Sequence, residues 1–323
     1  MVNIWEAAPE IIKKFLLYMQ TVKNKSEKTV DEYFLDLRTF FRFIKIHKKC
    51  SDRYLDLKDV KIDDVDLDFI KKIDILDVYE YMNYLVKIKK NGASARSRKT
   101  ASLRSFFKYL TIKLKILEEN PIKELETPKL KKSLPKFLSL DESKKFLETI
   151  KNFNSERVQR DYAIATLFLN CGIRLSELAN INFKDISPYD NSLRIVGKGN
   201  KERIIYLNKA CLSAIENYKL VRGEAKDKDA VFLSRNKKRI SIKTIQFLMK
   251  KYFNLAGFSH KKLSTHKLRH TAATLMYQYG KVDIMVLKDI LGHENISLTQ
   301  IYTHTSSEQL KSAFENNPLC SLK

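Results

Sequence analysis

The sequence predicts a mainly α protein with a small β-sheet, divided into a helical first domain and a mixed α+β second domain. Three observations carry that expectation. Apolar residues recur at helical spacing through the first 115 positions, a proline- and lysine-rich stretch then interrupts the periodicity, and two β-branched-rich runs flank a Gly-Lys-Gly-Asn turn further on.

Taken in chain order, Val30, Tyr33, Phe34, Leu37, Phe40, Phe41 and Ile44 follow the i, i+3, i+4, i+7 spacing of a buried helical stripe, with Thr29-x-x-Glu32 as a capping box. The acidic segment 51–74 reads as an elongated inter-helix loop. Leu76–Ile88 and Ala95–Leu110 are two further helices, separated by the Asn91-Gly92 break. On the second of them Leu103, Phe106, Phe107 and Leu110 supply a core face. Arg96, Thr100, Arg104 and Lys108 recur every four residues on another, a basic stripe suited to phosphates, with an ordinary solvated face as the plain alternative. Residues 119–138 hold three prolines among lysines and keep no pattern, so they read as a basic linker. The expected division is therefore a helical domain at 1–118, a linker at 119–138 and a second domain at 139–323.

In that second domain Leu140–Ile150, Arg157–Leu169 and the short Ser176–Asn180 read as helices. Ser192–Val196 and Glu202–Leu207 read as the strands of a hairpin around Gly197-Lys198-Gly199-Asn200. Helices follow near 208–221, 241–255, 266–279, 283–291 and 306–315.

Composition narrows the function. The chain has 323 residues, 44% of them hydrophobic, enough for packed cores. The start MVNIWEAAPE-IIKKFLLYMQ is interrupted by a Lys pair, and no run approaches the ~18 apolar residues of a membrane span. Neither a signal peptide nor a membrane partner is expected, and a cytoplasmic location is. Cys50, Cys171, Cys211 and Cys320 are scattered, which favours free thiols over a zinc or disulfide framework. The formal net charge of +23 points to a polyanionic partner. Its distribution agrees: residues 51–80 hold ten acids against five bases, and residues 81–117 hold ten bases and no acid, as if one face were wet and another met phosphates.

Four segments in the second half carry chemistry in combination: Gly172-Ile173-Arg174-Leu175-Ser176-Glu177-Leu178; Gly197-Lys198-Gly199-Asn200-Lys201-Glu202-Arg203; His266-Lys267-Leu268-Arg269-His270; and Leu291-Gly292-His293, followed nine residues later by Tyr302-Thr303-His304. His266 and His270 at i, i+4 would suit two metal ligands, but Lys267 stands where a metalloprotease helix has Glu and would repel a divalent cation. No metal is expected. The Gly197 loop lacks phosphate-loop spacing and lies between strands, so no nucleotide cofactor is expected either. Cleaving a phosphodiester without metal would demand cations for the spread negative charge, a proton donor for the leaving alkoxide and a hydroxyl nucleophile. Two Arg, one Lys, two His and one Tyr form such a set.

These segments resemble the signature boxes of the tyrosine recombinase (phage integrase) family, with wording and spacing closest to Xer-like members, over essentially the whole chain. The resemblance implies a C-shaped clamp around duplex DNA: a helical, SAM-like core-binding domain, then a mixed α+β catalytic domain. It implies that Arg174 and Arg269 clamp the scissile phosphate and that Lys198 is the general acid for the 5′ oxygen. His266 hydrogen-bonds the phosphate and is placed to take the tyrosine proton, and His293 completes the pocket. Tyr302 attacks, giving a 3′-phosphotyrosyl link, and Glu177 buttresses Arg174. Arg96, Arg104, Lys108, Lys201 and Arg203 are expected to contact DNA, whereas His270 and His304 are read as structural neighbours. The implied partners are a duplex with an inverted-repeat core site, three further subunits, identical or paralogous, in a tetramer on two sites, and a septal DNA translocase. The implied tasks are chromosome dimer resolution, hence chromosome partition and cell division, or movement of a genetic element. Two rivals remain: a type IB topoisomerase, against which the short tail helix Ser306–Phe314 argues, and a non-catalytic DNA-binding protein. Cys171, where the family more often has a small hydroxyl residue, is a minor departure.

Overall fold

A computed structural model describes residue 5 and residues 8–48, 56–126, 137–197 and 201–292. Lys198, His293, Tyr302 and the expected tail helix 306–315 lie outside the described residues, as do Cys50 and Cys320. The chain divides into two units, Met1–Lys132 and Ser133–Lys323.

The first unit is built from α1 (Glu10–Thr21), α2 (Glu27–His47), α3 (Leu67–Lys71), α4 (Ile75–Lys87) and α5 (Ala93–Lys108), which runs into a π-helical turn at Tyr109–Lys113. Its core is aromatic. Phe15, Phe40, Phe41, Tyr81, Phe106 and Phe107 are fully buried, and edge-to-face contacts join Phe15 to Phe106 and Phe40 to Tyr81. Helix α2 starts at Glu27 behind an extended Ser26, whose hydroxyl is 2.9 Å from that of Thr29. Thr29 therefore sits inside the first turn, and the expected Thr29–Glu32 capping box does not cap this helix.

The acidic segment is not a solvated loop where it is described. Between residues 56 and 74 it buries Val60, Ile62, Val65, Ile70 and Ile73, while its acids cap and pair. Asp66 accepts from the Phe69 backbone to cap α3, and Asp74 and Asp77 form a reciprocal capping box on α4. Asp64 accepts from the buried Lys45 ammonium at 2.6 Å.

The expected basic stripe on α5 is also interrupted. Residues four apart drift ~40° round a helix at each step, so a row of four cannot stay on one face. Thr100 is fully buried, Arg96 has its Nε buried, and the Arg104 guanidinium donates to the Leu125 carbonyl. The neighbouring Arg98, Lys99 and Ser102 converge instead on the buried Asp36 carboxylate, at 2.6, 2.8 and 2.8 Å. The stretch read as a linker contributes buried residues at both ends. Ile122 and Leu125 belong to the first core and Leu138 to the second.

The second unit has α6 (Leu140–Lys151), α7 (Val158–Cys171), α8 (Leu175–Ala179), β1 (Ile186–Ser187), β2 (Ser192–Val196), β3 (Glu202–Tyr206), α9 (Lys209–Val221), α10 (Ile242–Leu255), α11 (Thr265–Gln278) and α12 (Ile284–Leu291). Helix α7 is buried almost all round and is the central helix, packed on α6, α9 and α11. In its first turn the buried Arg160 pairs with Asp161, which also accepts from the Tyr252 hydroxyl at 2.8 Å. The sheet is antiparallel in the order β1-β2-β3, with Leu193 opposite Ile205. The two-residue β1 is too short to carry a sequence period. Cys171 and Cys211 are buried free thiols with sulfurs 3.7 Å apart.

Candidate active site

Helix α7 ends at Gly172, whose φ of +58° is the left-handed cap that favours glycine. A Cβ there would also stand 3.0 Å from the Leu291 side chain. The chain then turns through buried Ile173 and starts α8 with Arg174 as its N-cap residue. One turn on, Glu177 reaches back. Its Oε2 accepts the Arg174 backbone N–H at 2.7 Å and its Oε1 accepts Arg174 Nη1 at 2.9 Å.

Arg203, on β3, meets the same carboxylate end-on. Its Nη1 donates to Oε1 at 2.9 Å and its Nη2 to Oε2 at 2.8 Å, a bidentate pair. The Glu177 side chain is only 3% exposed. Burial works against its ionisation, yet hydrogen bonds and charge from Arg203 and Arg174 outweigh it and hold the carboxyl down at about 2. Arg203 was expected on a DNA-facing surface. Instead three of its donors are engaged inward, because a buried carboxylate needs the nearest fork to offset its desolvation.

The C-terminus of α12 is the second organising feature. Three successive carbonyls there each accept from a different arginine: Ile290 from Arg203 Nε at 3.0 Å, Leu291 from Arg269 Nη2, and Gly292 from Arg174 Nη2 at 2.7 Å. Arg269, 2% exposed on α11, also donates through Nη1 to the Gly172 carbonyl at 2.6 Å. The first three motif segments thus meet the fourth at the end of α12, immediately before His293 in the sequence. The hairpin bearing Lys198 closes at its base through Gly197 N–H to Lys201 carbonyl, 2.8 Å.

His266 lies at the exposed start of α11, three residues before Arg269. Partial burial of its ring, then the cations Arg269 and Arg174, lower its pKa and favour the neutral base. His270 stands edge-on to it at 4.8 Å between ring centroids. Burial, His266 and Arg269 push His270 down to about 4, so it is neutral near pH 7. Lys201 is exposed just ahead of β3, and Arg104 and Lys108 are exposed on α5 in the other unit. Sequence reasoning missed the carbonyl clasp and Arg203's part in it. The one available signal was Gly292, a glycine placed to end a helix.

Residues 136–309 match the phage integrase family, and residues 12–113 match its N-terminal SAM-like domain. The chain is 51% identical over 314 residues to the tyrosine recombinase XerC of Caldanaerobacter subterraneus subsp. tengcongensis, covering 96% of this chain and 87% of that protein. It is 34% identical over 302 residues to a tyrosine recombinase of Pseudothermotoga lettingae, covering 93% and 95%. Its fold is similar to that of the XerH site-specific recombinase bound to a palindromic difH substrate, with TM-score 0.69 and 21% identity over 95% of this chain and 94% of that one. It is likewise similar to the Tn1549 transposon integrase in complex with a circular intermediate DNA, with TM-score 0.70 and 18% identity over 94% and 98%.

Proposed function

The chain belongs to the phage integrase family of tyrosine recombinases, and on that premise we propose the following division of labour for a site-specific recombinase that cuts and rejoins duplex DNA. Arg174 and Arg269 bind the non-bridging oxygens of the scissile phosphate, and His266 hydrogen-bonds it and receives the tyrosine proton. Tyr302 attacks phosphorus, the P–O5′ bond breaks, and Lys198 delivers the proton to the departing oxygen. His293 closes the phosphate pocket. The reaction conserves bond energy in the 3′-phosphotyrosyl link, so it needs neither ATP nor a metal.

One observation supports this reading most strongly: Arg174 with its Glu177 buttress and Arg269 come from two stretches far apart in the chain, yet all are fixed around Gly172 and the last carbonyls of α12. A merely structural cluster has little use for a guanidinium like that of Arg174, 36% exposed yet held at two points. The first 118 residues bind the core site through α5, with residues 119–138 as linker to the catalytic domain. Lys201 joins Arg104 and Lys108 at phosphates, each contact tuning affinity and not chemistry.

Further from the site, the working state is a tetramer on two inverted-repeat sites, in the cytoplasm and on the nucleoid. The tasks are chromosome partition at cell division, with a septal DNA translocase as partner, or movement of a genetic element. The test of the central claim is covalent. Incubated with a nicked target duplex, the wild-type protein yields an adduct that survives detergent and is destroyed by protease, whereas Tyr302→Phe binds equally and yields none. An adduct of normal yield in that variant overturns the assignment. Relaxation of supercoiled plasmid by a monomer, with no recombinant products, would favour a topoisomerase.

A further inference from the structure

Glu177 poses a problem of charge. On its own, Arg174 paired with Glu177 is a neutral couple, and a neutral couple attracts a phosphate poorly. Arg203 changes the sum. It occupies both carboxylate oxygens at 2.9 and 2.8 Å, leaving the trio with one net positive charge. Guanidinium groups remain protonated throughout the working pH range. The excess charge falls on the member that solvent can reach: the Arg174 side chain is 36% exposed, against 14% for Arg203 and 3% for Glu177.

The surrounding backbone leaves room for this arrangement. A Cβ on Gly292, whose φ is +61°, would stand 3.3 Å from Arg203 Nη1. Arg203 Nε meanwhile holds the Ile290 carbonyl, so its fork is oriented from two sides. We propose that Arg203 is a positioning residue whose charge offsets that of Glu177, so that Glu177 can fix the Arg174 guanidinium without cancelling it. This rests on the role assigned above to Arg174 at the scissile phosphate. It separates two jobs within one cluster: Glu177 supplies geometry, and Arg203 restores the charge that geometry would otherwise neutralise.

The test removes charge from the substrate. Full-length protein is given a nicked site carrying either an ordinary phosphodiester or a methylphosphonate at the scissile position, and the rate of covalent adduct formation is measured. Arg203→Gln should slow cleavage of the ordinary site about 100-fold and that of the uncharged site by less than about fivefold. Arg203→Lys, which keeps the charge but not the fork, should stay within about tenfold of wild type on the ordinary site. In the double variant Arg203→Gln with Glu177→Gln, most of the loss should return, since no unpaired carboxylate remains. Equal slowing of both substrates by Arg203→Gln, or a double variant no faster than that single one, overturns the proposal. Thermal unfolding midpoints identify a variant that fails to fold. If Arg203→Gln does so, slowing of the ordinary site by Arg203→Lys well beyond about tenfold is the overturning result, because the charge is kept. Arg174→Ala is the control for the premise. If it is no better on the methylphosphonate than on the phosphate, the assignment of Arg174 fails, and the proposal falls with it for that separate reason.

Discussion

Asp36 and Glu177 are both nearly inaccessible carboxylates, and each is stable only because its donors are already in place. Asp36 collects Arg98, Lys99 and Ser102, so Asp36→Ala leaves cations facing a void and should cost about 3–5 kcal/mol of folding stability, read from urea unfolding. For Glu177 the consequence depends on pH. Its folded pKa of about 2 lies below the ordinary 4.5, so its stabilisation is fully present above pH 4.5 and is lost as pH falls toward 2. Glu177→Gln should therefore be less stable than wild type at pH 7, and the gap should close between pH 4.5 and 2. A gap that stays constant across that window would mean that Glu177 is not the ionised partner of two arginines. The role proposed for Lys198 in leaving-group chemistry is tested at this scale too. Lys198→Ala should slow cleavage of ordinary DNA severely while sparing a substrate whose 5′-bridging oxygen is sulfur, which departs without a proton.

Helix ends, more than helix middles, build the site. The left-handed cap at Gly172 turns α7 into α8 and points Arg174 across the end of α12, while the cap at Gly292 ends α12 at the carbonyls that the arginines grip. Gly172→Ala forces a side chain into positive φ and against Leu291, and should lower stability by about 1–2 kcal/mol while disturbing the Gly172 carbonyl that Arg269 holds. Cleavage should fall with it; unchanged cleavage at full occupancy would show that this turn does not set the arginine geometry. At the tail, Leu310, Ala313 and Phe314 fall at i, i+3, i+4 in the sequence, and a helix that short needs a surface to bury them. Truncation before Ser306 should spare single-site binding and abolish strand exchange, if the tail docks on a neighbouring protomer. Recombination at the full-length rate by the truncated protein would remove that coupling.

Across the whole molecule the formal charge of +23 makes affinity for DNA an electrolyte effect. Neutralising six to ten phosphates releases their counterions, so binding should weaken by about 10³–10⁵ between 50 and 200 mM salt, measured by titration at several ionic strengths. A shallow dependence would mean that few of these cations meet the backbone. Cleavage, as distinct from binding, should persist in excess EDTA without ATP, because the site's cations are side chains. If chelation abolished cleavage and left binding intact, His266 and His270 would have to be reconsidered as ligands. In neither unit among the described residues is a helix long and apolar enough to cross a membrane.

Much of this was legible in the chain itself. Period 3.6 and period 2 follow from local backbone geometry, so the helices α2, α4 to α7 and the β2–β3 hairpin could be read directly from their apolar residues. The chemistry was legible because cleaving a phosphodiester restricts which side chains can serve, and Arg174, Glu177, His266 and Arg269 stand in compact motifs. Local pattern misled where a residue's partner is distant in sequence. Arg203 lies 26 positions from Glu177 and 87 from Ile290, and nothing in GKGNKER distinguishes an arginine turned inward from one turned to solvent. Thr100 has the spacing of a basic face, yet lies against Met82 of the neighbouring helix. The alternating acids of 56–74 conceal apolar residues that only packing reveals. Sequence determines what each element is and which chemistry is available; tertiary structure decides which donors a buried carboxylate captures, because desolvation is felt only once the chain has closed around it.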